Sequence, residues 1–381
     1  MKVLLYIFAF LFCFRFMGII SVPSTTIACC ILLLSILNYK KGLPLNKYII
    51  ALGVCIIFNA FSCLYFNDQS LLSSFRASNE FFNLALCWFF YNWDLSLKQW
   101  EKALWWICLC FGICYIIQYL VYPSIIFSGQ IRTEGPEQRI AIFGQGLASF
   151  SVLFGINKYF LTHNIKYIVI ILTGLFAVFG CGYRTMLLAL LINTFILVIR
   201  LGISKRTMIS FVLIIITIYF FVNKVDFIQD QISNMTNRQE VLDNNGFNND
   251  PRYLNLIYHY TSYFKNPIEM ILGSGMPFDG TKYSDFIQKL NDAYFHYSDW
   301  GLIGLSWLLG IPAVIVMIAY SINIFRTKVS KEYLYIGTYF FNIVISSITT
   351  HEFYIYQNYV VQAILFCVFM KILKKYNLRM A

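Results

Sequence analysis

Residues 167–199 read YIVIILTGLFAVFGCGYRTMLLALLINTFILVI, an apolar run of over thirty residues with Arg184 in its middle. An α-helix rises 1.5 Å per residue, so about 20 apolar residues cross the roughly 30 Å of bilayer hydrocarbon. The run therefore predicts two crossings, Tyr167 to Cys181 and Met186 to Ile199, with a hairpin at the Gly-x-Arg turn between them. Outward from this pair the pattern repeats. Spans are expected at Val3 to Ile20, Ser24 to Leu37, Tyr48 to Phe66, Glu80 to Trp93, Ala103 to Val121, Ile140 to Gly155, Met208 to Val222, Trp300 to Phe325, Leu334 to Ile348 and Tyr356 to Ile372, making 12 in all. The second is short and the fourth opens on Glu80. Val3 to Ile20 lacks a small-residue cleavage pattern and is expected to be a span, not a removed signal.

Composition leads to the same place. Of 381 residues, 59% are apolar and only 12% charged, too little polar surface to cover a water-facing globule. The alternating ten-residue segments of a membrane β-barrel are absent, so an all-α polytopic protein is expected. The eleven cysteines fall in or beside apolar stretches and form no CxxC pair, which argues against a disulfide framework and against zinc. The net charge of +11 would suggest nucleic acid in a soluble chain, but here the basic residues mark orientation. Lys40, Lys41, Lys98, Lys102, Lys158, Lys166, Arg200, Arg326, Lys371, Lys374 and Lys375 collect on one side, whereas Arg76, Arg132, Arg139 and Arg184 occupy short loops on the other. By the positive-inside rule both termini are cytoplasmic.

Three regions follow: 1–222 with spans one to nine, 223–299 as one large extracytoplasmic loop, and 300–381 with the last three spans. Within the loop, an Asn- and Asp-rich stretch precedes PRYLNLIYHYTSYF, whose apolar spacing is helical and whose Pro251 suits a first turn. GSGMPFDG is a Gly-rich turn, and a second short helix is expected around Asp285 to Tyr297.

Arg139, Arg184 and Arg252 each sit beside turn chemistry on the outer side. A guanidinium is a planar fork of donors suited to phosphate oxygens and keeps its charge. The alternative is that Arg184 snorkels to mark its hairpin and that Arg252 is a solvated loop charge. Asp292, His296 and Asp299, spaced by four and three, would share one face of a helix at the membrane boundary, where a carboxylate or imidazole has the pKa latitude of a general base. Asp299 is equally suited to N-cap the next span, and His296 to structural hydrogen bonding. His351 and Glu352, in the last outside loop, are further candidates. No GKS/T loop, HExxH, GxSxG or DxD-like pair occurs on the outer face, so neither nucleotide hydrolysis nor metal-assisted sugar-nucleotide transfer is expected.

In order along the chain come Arg139 with a Phe-Gly turn ending at Gly146, the Gly182-Tyr183-Arg184 hairpin, Arg252 opening a helix that ends at Asn266-Pro267, Gly273-x-Gly275, and Asn291, Asp299, Gly301 and Gly304 entering the next span. This order resembles the bacterial O-antigen polymerase and O-antigen ligase superfamily, over about Arg139 to Leu309. The resemblance implies a GT-C-like helical fold in the bacterial inner membrane. It also implies transfer of a glycan from polyprenyl pyrophosphate to a sugar hydroxyl of another lipid-linked repeat unit, with no cofactor and no metal. Arg139, Arg184 and Arg252 would bind the pyrophosphate, and Asp292 or His296 would be the base. Asn291, Asp299 and His351 would be secondary candidates, and a chain-length regulator a possible partner. Ligases of the family place His just before the Asn, where this chain has Leu290, and Asp292 looks more like the polymerase branch. The rivals are ligation to lipid A core, and flipping or export of the lipid-linked oligosaccharide without chemistry. A flippase should line a central cavity with cations, and Arg15 in the first span is the one intramembrane cation that fits.

Overall fold

The computed structural model describes residues 30, 33–127, 129–132, 139–142, 144–202, 251–350, 352–353 and 358–380. The spans expected at Val3 to Ile20 and Met208 to Val222 lie outside them, as does most of Ser24 to Leu37. Numbered in chain order, the described helices begin with α1 (Asn46–Asn67), α2 (Leu71–Ala77), α3 (Leu86–Tyr91) and α4 (Leu97–Leu120). A hairpin of β1 (Gly129–Arg132) and β2 (Arg139–Ile142) leads to α5 (Gly146–Thr162), α6 (Lys166–Gly180) and α7 (Arg184–Leu201). After the loop's α8 (Pro251–Tyr258), α9 (Pro267–Leu272) and α10 (Lys282–Asp292) come α11 (Gly301–Leu309), α12 (Ile311–Arg326), α13 (Leu334–Ser346) and α14 (Asn358–Lys375).

The fold is helical, and α1, α4 and α7 are long and apolar enough to cross a membrane. Apolar residues cover both their faces. On α1, Leu52 and Ile56 point into the bundle, while Ile50, Val54, Phe58 and Phe61 are exposed. Water would penalise so continuous an apolar exterior, whereas acyl chains match it. At the centre stands α14, buried without a break from Asn358 to Met370. Its polar Gln362 is satisfied, accepting from Tyr320 Oη at 2.6 Å and donating to the Phe353 carbonyl at 2.6 Å. Glycines let α5 and α6 close up, since a Cβ at Gly174 would lie 2.9 Å from the Ala148 carbonyl oxygen.

Four expectations are corrected. The stretch Glu80 to Trp93 is not one helix: a 3₁₀ segment, Asn79–Ala85, runs into the six-residue α3. Phe81, Leu84, Leu86, Cys87 and Phe90 are all buried, so this stretch is apolar because protein surrounds it. Ile140 to Gly155 opens as a short strand of a two-stranded hairpin, with α5 starting only at Gly146. Trp300 to Phe325 is broken at Gly310, where φ is +88° and a Cβ would stand 2.5 Å from the Leu272 carbonyl oxygen. The second loop helix ends at Asp292, short of the predicted Tyr297.

The loop is fastened to the C-terminal end of α1. Asn59 Nδ2 donates to the carbonyls of Leu272 (2.9 Å) and Leu308 (2.6 Å), and Ser62 Oγ to that of Gly273 (2.6 Å). Asn67 Nδ2 donates to the Ser274 carbonyl at 2.9 Å, and Gln69 spans the Met276 carbonyl and the Phe278 N–H, both at 2.9 Å. Buried Glu269 accepts from Lys265 N–H (2.8 Å) and Ser274 Oγ (3.0 Å). Gly273, with φ +82°, leaves its Cβ position only 2.4 Å from the Gly310 nitrogen and the Leu308 oxygen. Gly273→Ala is therefore expected to destabilise the loop's seat by about 2 kcal/mol or more. Limited trypsinolysis checks it: cleavage after Lys282 and Lys289 should quicken in the variant, and unchanged kinetics would contradict the clasp.

Candidate functional site

The loop and the end of the bundle beneath it hold two polar groups of residues, joined by the segment after α13. The first begins at α8. The helix starts at Pro251, where the sequence predicts a start, and Arg252 follows as its second residue. Arg252 Nε lies 3.9 Å from Asp299 Oδ2, a half-exposed pair worth under about 1 kcal/mol. Trp300 Nε1 donates to the Arg252 carbonyl at 3.1 Å. One turn along α8, buried Asn255 donates through Nδ2 to the His296 carbonyl at 2.9 Å, while its Oδ1 has no protein partner. His259 is enclosed, stacked on Trp307 with centroids 3.8 Å apart, and burial pulls its pKa down to about 4, so it is neutral.

Asp292, His296 and Asp299 do not share a helical face. Asp292 ends α10 and accepts from Gln288 Nε2 of the same helix at 2.9 Å, while His296 has extended backbone and Asp299 lies in a 3₁₀ turn, Tyr297–Trp300. The N-cap of α11 is Trp300, so Asp299 does not take that role. The chain turns because Gly301, at φ +49°, abuts the Ser347 carbonyl, where a Cβ would stand 2.2 Å away. Earlier, the chain reverses at Tyr294, φ +63°, where Phe295 N–H donates to the Leu290 carbonyl at 2.8 Å, and this sets Asn291 beside His296, with Nδ1 3.2 Å from Asn291 Oδ1. An amide oxygen only accepts, so the proton is assigned to Nδ1, leaving the Nε2 lone pair available.

The second group lies at the same end of the bundle. Leu302 N–H donates to the Ser347 carbonyl at 2.7 Å, tying α11 to the end of α13, and Glu352 follows a few residues on. Glu352 is 3% exposed, and burial raises its carboxyl to about 8. Tyr339 Oη donates to Asn358 Oδ1 at 2.7 Å, and Gly146 is glycine because its Cβ would overlap that Asn358 oxygen at 2.0 Å. Beside it, Gln145 Oε1 and Ser149 Oγ are buried with no hydrogen-bond partner. Three residues past Cys181, exposed Arg184 opens α7. A cation at a helix N-terminus opposes the helix dipole, whereas an anion there would be held by dipole, N–H groups and guanidinium together.

Arg252, Asn291, His296 and Asp299 thus come together, with Asp292 apart on the outer face of α10. Arg139 opens β2, and the register sets it across from Arg132; only its backbone is among what the structure describes. His351 lies outside the described residues. Sequence reading missed Asn255, His259, Gln145, Tyr339 and Asn358. The signal available was polar side chains within or beside apolar stretches, the mark of groups that serve a site or a packed interior. Among the described residues no group of three or more His, Cys, Asp and Glu could hold a metal ion.

Glu352 gives a pH dependence with a definite sign. An unfolded glutamate titrates near 4.5 and the folded one near about 8, so in that interval the folded state holds the extra proton. Stability must then fall as pH rises from 4.5 to about 8 and level off above. Thermal melts should show this decline in the native protein and lose it in Glu352→Gln; parallel profiles would mean that Glu352 is solvated.

No protein-family model matches this chain, and no curated protein is significantly similar to it.

Proposed function

We propose that the chain is a polysaccharide repeat-unit polymerase of a bacterial inner membrane, with 12 spans in a GT-C-like arrangement, cytoplasmic termini and the 223–299 loop on the extracytoplasmic side. It moves a growing glycan from its polyprenyl pyrophosphate carrier to a sugar hydroxyl of a second lipid-linked repeat unit. The observation that carries this reading is that Arg252 opens a helix whose Asn255 is bonded to the His296 carbonyl, beside an imidazole whose basic nitrogen is set by Asn291, while Arg184 opens α7.

The chemistry follows from those groups. His296 Nε2 removes the acceptor hydroxyl proton as that oxygen bonds to the donor's anomeric carbon and the bond from that carbon to the pyrophosphate oxygen breaks. The electron pair leaves with the diphosphate, where Arg139, Arg184 and Arg252 offset the developing charge. A single displacement inverts the anomeric centre, and the donor's activated bond supplies the energy. Of the two base candidates, His296 is favoured because Asp292 is exposed and engaged by Gln288.

Glu352 favours a second reading: an ionisable group enclosed in a bundle is what proton-coupled translocation of the same lipid-linked oligosaccharide would use. Cells lacking the gene separate the possibilities. A polymerase's loss leaves single repeat units on the lipid core, a ligase's leaves no surface glycan, and an exporter's strands the lipid-linked unit in the cytoplasmic leaflet. Only the first banding pattern supports the proposal.

A further inference from the structure

At the end of the bundle remote from the loop, where α14 finishes and α4 begins, a cavity of about 410 Å³ is lined by four lysines: Lys40, Lys371, Lys374 and Lys375. They come from two distant parts of the chain, the segment before α1 and the last two turns of α14, while the turn between α3 and α4 supplies Trp93 and the cavity's one carboxylate, Asp94. Four ammonium groups against one carboxylate leave an excess of three positive charges around a pocket open to the surface. Ordinary helix capping explains a lysine or two at the end of α14, since cations suit a helix C-terminus. It does not explain why Lys40 is brought to the same place, nor why two ammonium groups share one ring: Lys371 Nζ lies 5.2 Å and Lys40 Nζ 5.6 Å from the Tyr91 centroid. Lys371 is also held by the Trp93 carbonyl at 2.8 Å, so its charge is fixed in position.

We propose that this cavity binds the phosphate headgroup of an anionic membrane lipid. The volume far exceeds the roughly 30 Å³ share of one water, leaving room for a glycerophosphate. Tyr91 and Trp93 are the side chains that settle at headgroup depth, and basic pockets between helices are suited to phosphate diesters there. The acyl chains have a surface to follow: Leu33, Ile36 and Leu37, immediately before Lys40, are exposed and apolar. A soluble phosphate would use the lysines but gain nothing from that apolar approach. The site is independent of the glycan chemistry proposed for the other end.

The test uses the full-length protein in nanodiscs of phosphatidylcholine alone or with one fifth phosphatidylglycerol. Phosphatidylglycerol should raise the melting temperature by about 3 °C, and native mass spectrometry should show it retained. Lys40→Gln and Lys374→Gln, as separate variants, should each weaken retention by about fivefold, whereas Lys282→Gln and Lys289→Gln on the loop should not. Equal retention by the native protein and both pocket variants would overturn the proposal. So would an equal rise in melting temperature from millimolar inorganic phosphate in phosphatidylcholine discs, which would make the ligand a free anion.

Discussion

Arg184→Lys is expected to lower the polymerisation rate by about 100-fold, the size of effect seen when one preorganised donor to a developing oxyanion is removed. The substitution keeps the charge, so the positive-inside balance and membrane insertion should be unchanged. What is lost is the planar fork that meets two phosphate oxygens at once. At the first residue of α7 the side chain stands beside the exposed N–H groups of the helix, and a lysine there retains repulsion from the dipole while making a poorer bridge to the anion. The readout is glycan ladder length in cells and chain extension by purified protein. Arg200→Lys is the control, because Arg200 sits over the Phe325 ring at 4.6 Å at the far end of α7. Near-normal chain lengths for Arg184→Lys would remove this residue from the phosphate site and leave it as a marker of the hairpin.

His296→Ala should cost between about 10² and 10⁴ in rate, the range for loss of a positioned general base. Asp292→Asn should stay within about twofold, since a solvent-exposed carboxylate bonded to its own helix has no access to the acceptor. Asn291→Ala gives the finer discrimination. It leaves the imidazole in place but frees its tautomer, so the rate should fall less than in His296→Ala and the acid limb of the pH–rate profile should move. If Asp292→Asn were the more damaging change, with His296→Ala active, the base assignment would reverse.

The sequence made some of this legible and hid the rest for physical reasons. Pro251 followed by Arg252, and Asn266 followed by Pro267, mark helix starts through local chemistry, and both helices begin there, with Asn266 Oδ1 accepting from the N–H groups of Ile268 and Glu269. Long apolar runs likewise announced α1, α4 and α7. Such a run, however, does not say whether lipid or protein lies around it, which is why Glu80 to Trp93 reads as a span although Asn79 to Tyr91 is a bent segment packed against α14. Nor does a glycine in an apolar run reveal a break. Gly310 ends α11 because the backbone at Leu272, far away in sequence, presses against it. Helical spacing predicts that Asp292, His296 and Asp299 share one face, but α10 stops at Asp292 and the chain reverses at Tyr294, φ +63°, which sets His296 beside Asn291 and leaves Asp292 out.

The clasp on α1 bears on how the molecule is made. Asn59 and Ser62 sit in a helix that leaves the ribosome well before the loop, since their partners are carbonyls 213 and 211 residues downstream. An unpaired amide in hydrocarbon is costly, so throughout synthesis of the intervening chain α1 must shelter these groups against water, a translocation factor or its own backbone. Completion of the loop then releases that temporary partner, making closure of the clasp the event that separates a nascent chain from a mature one.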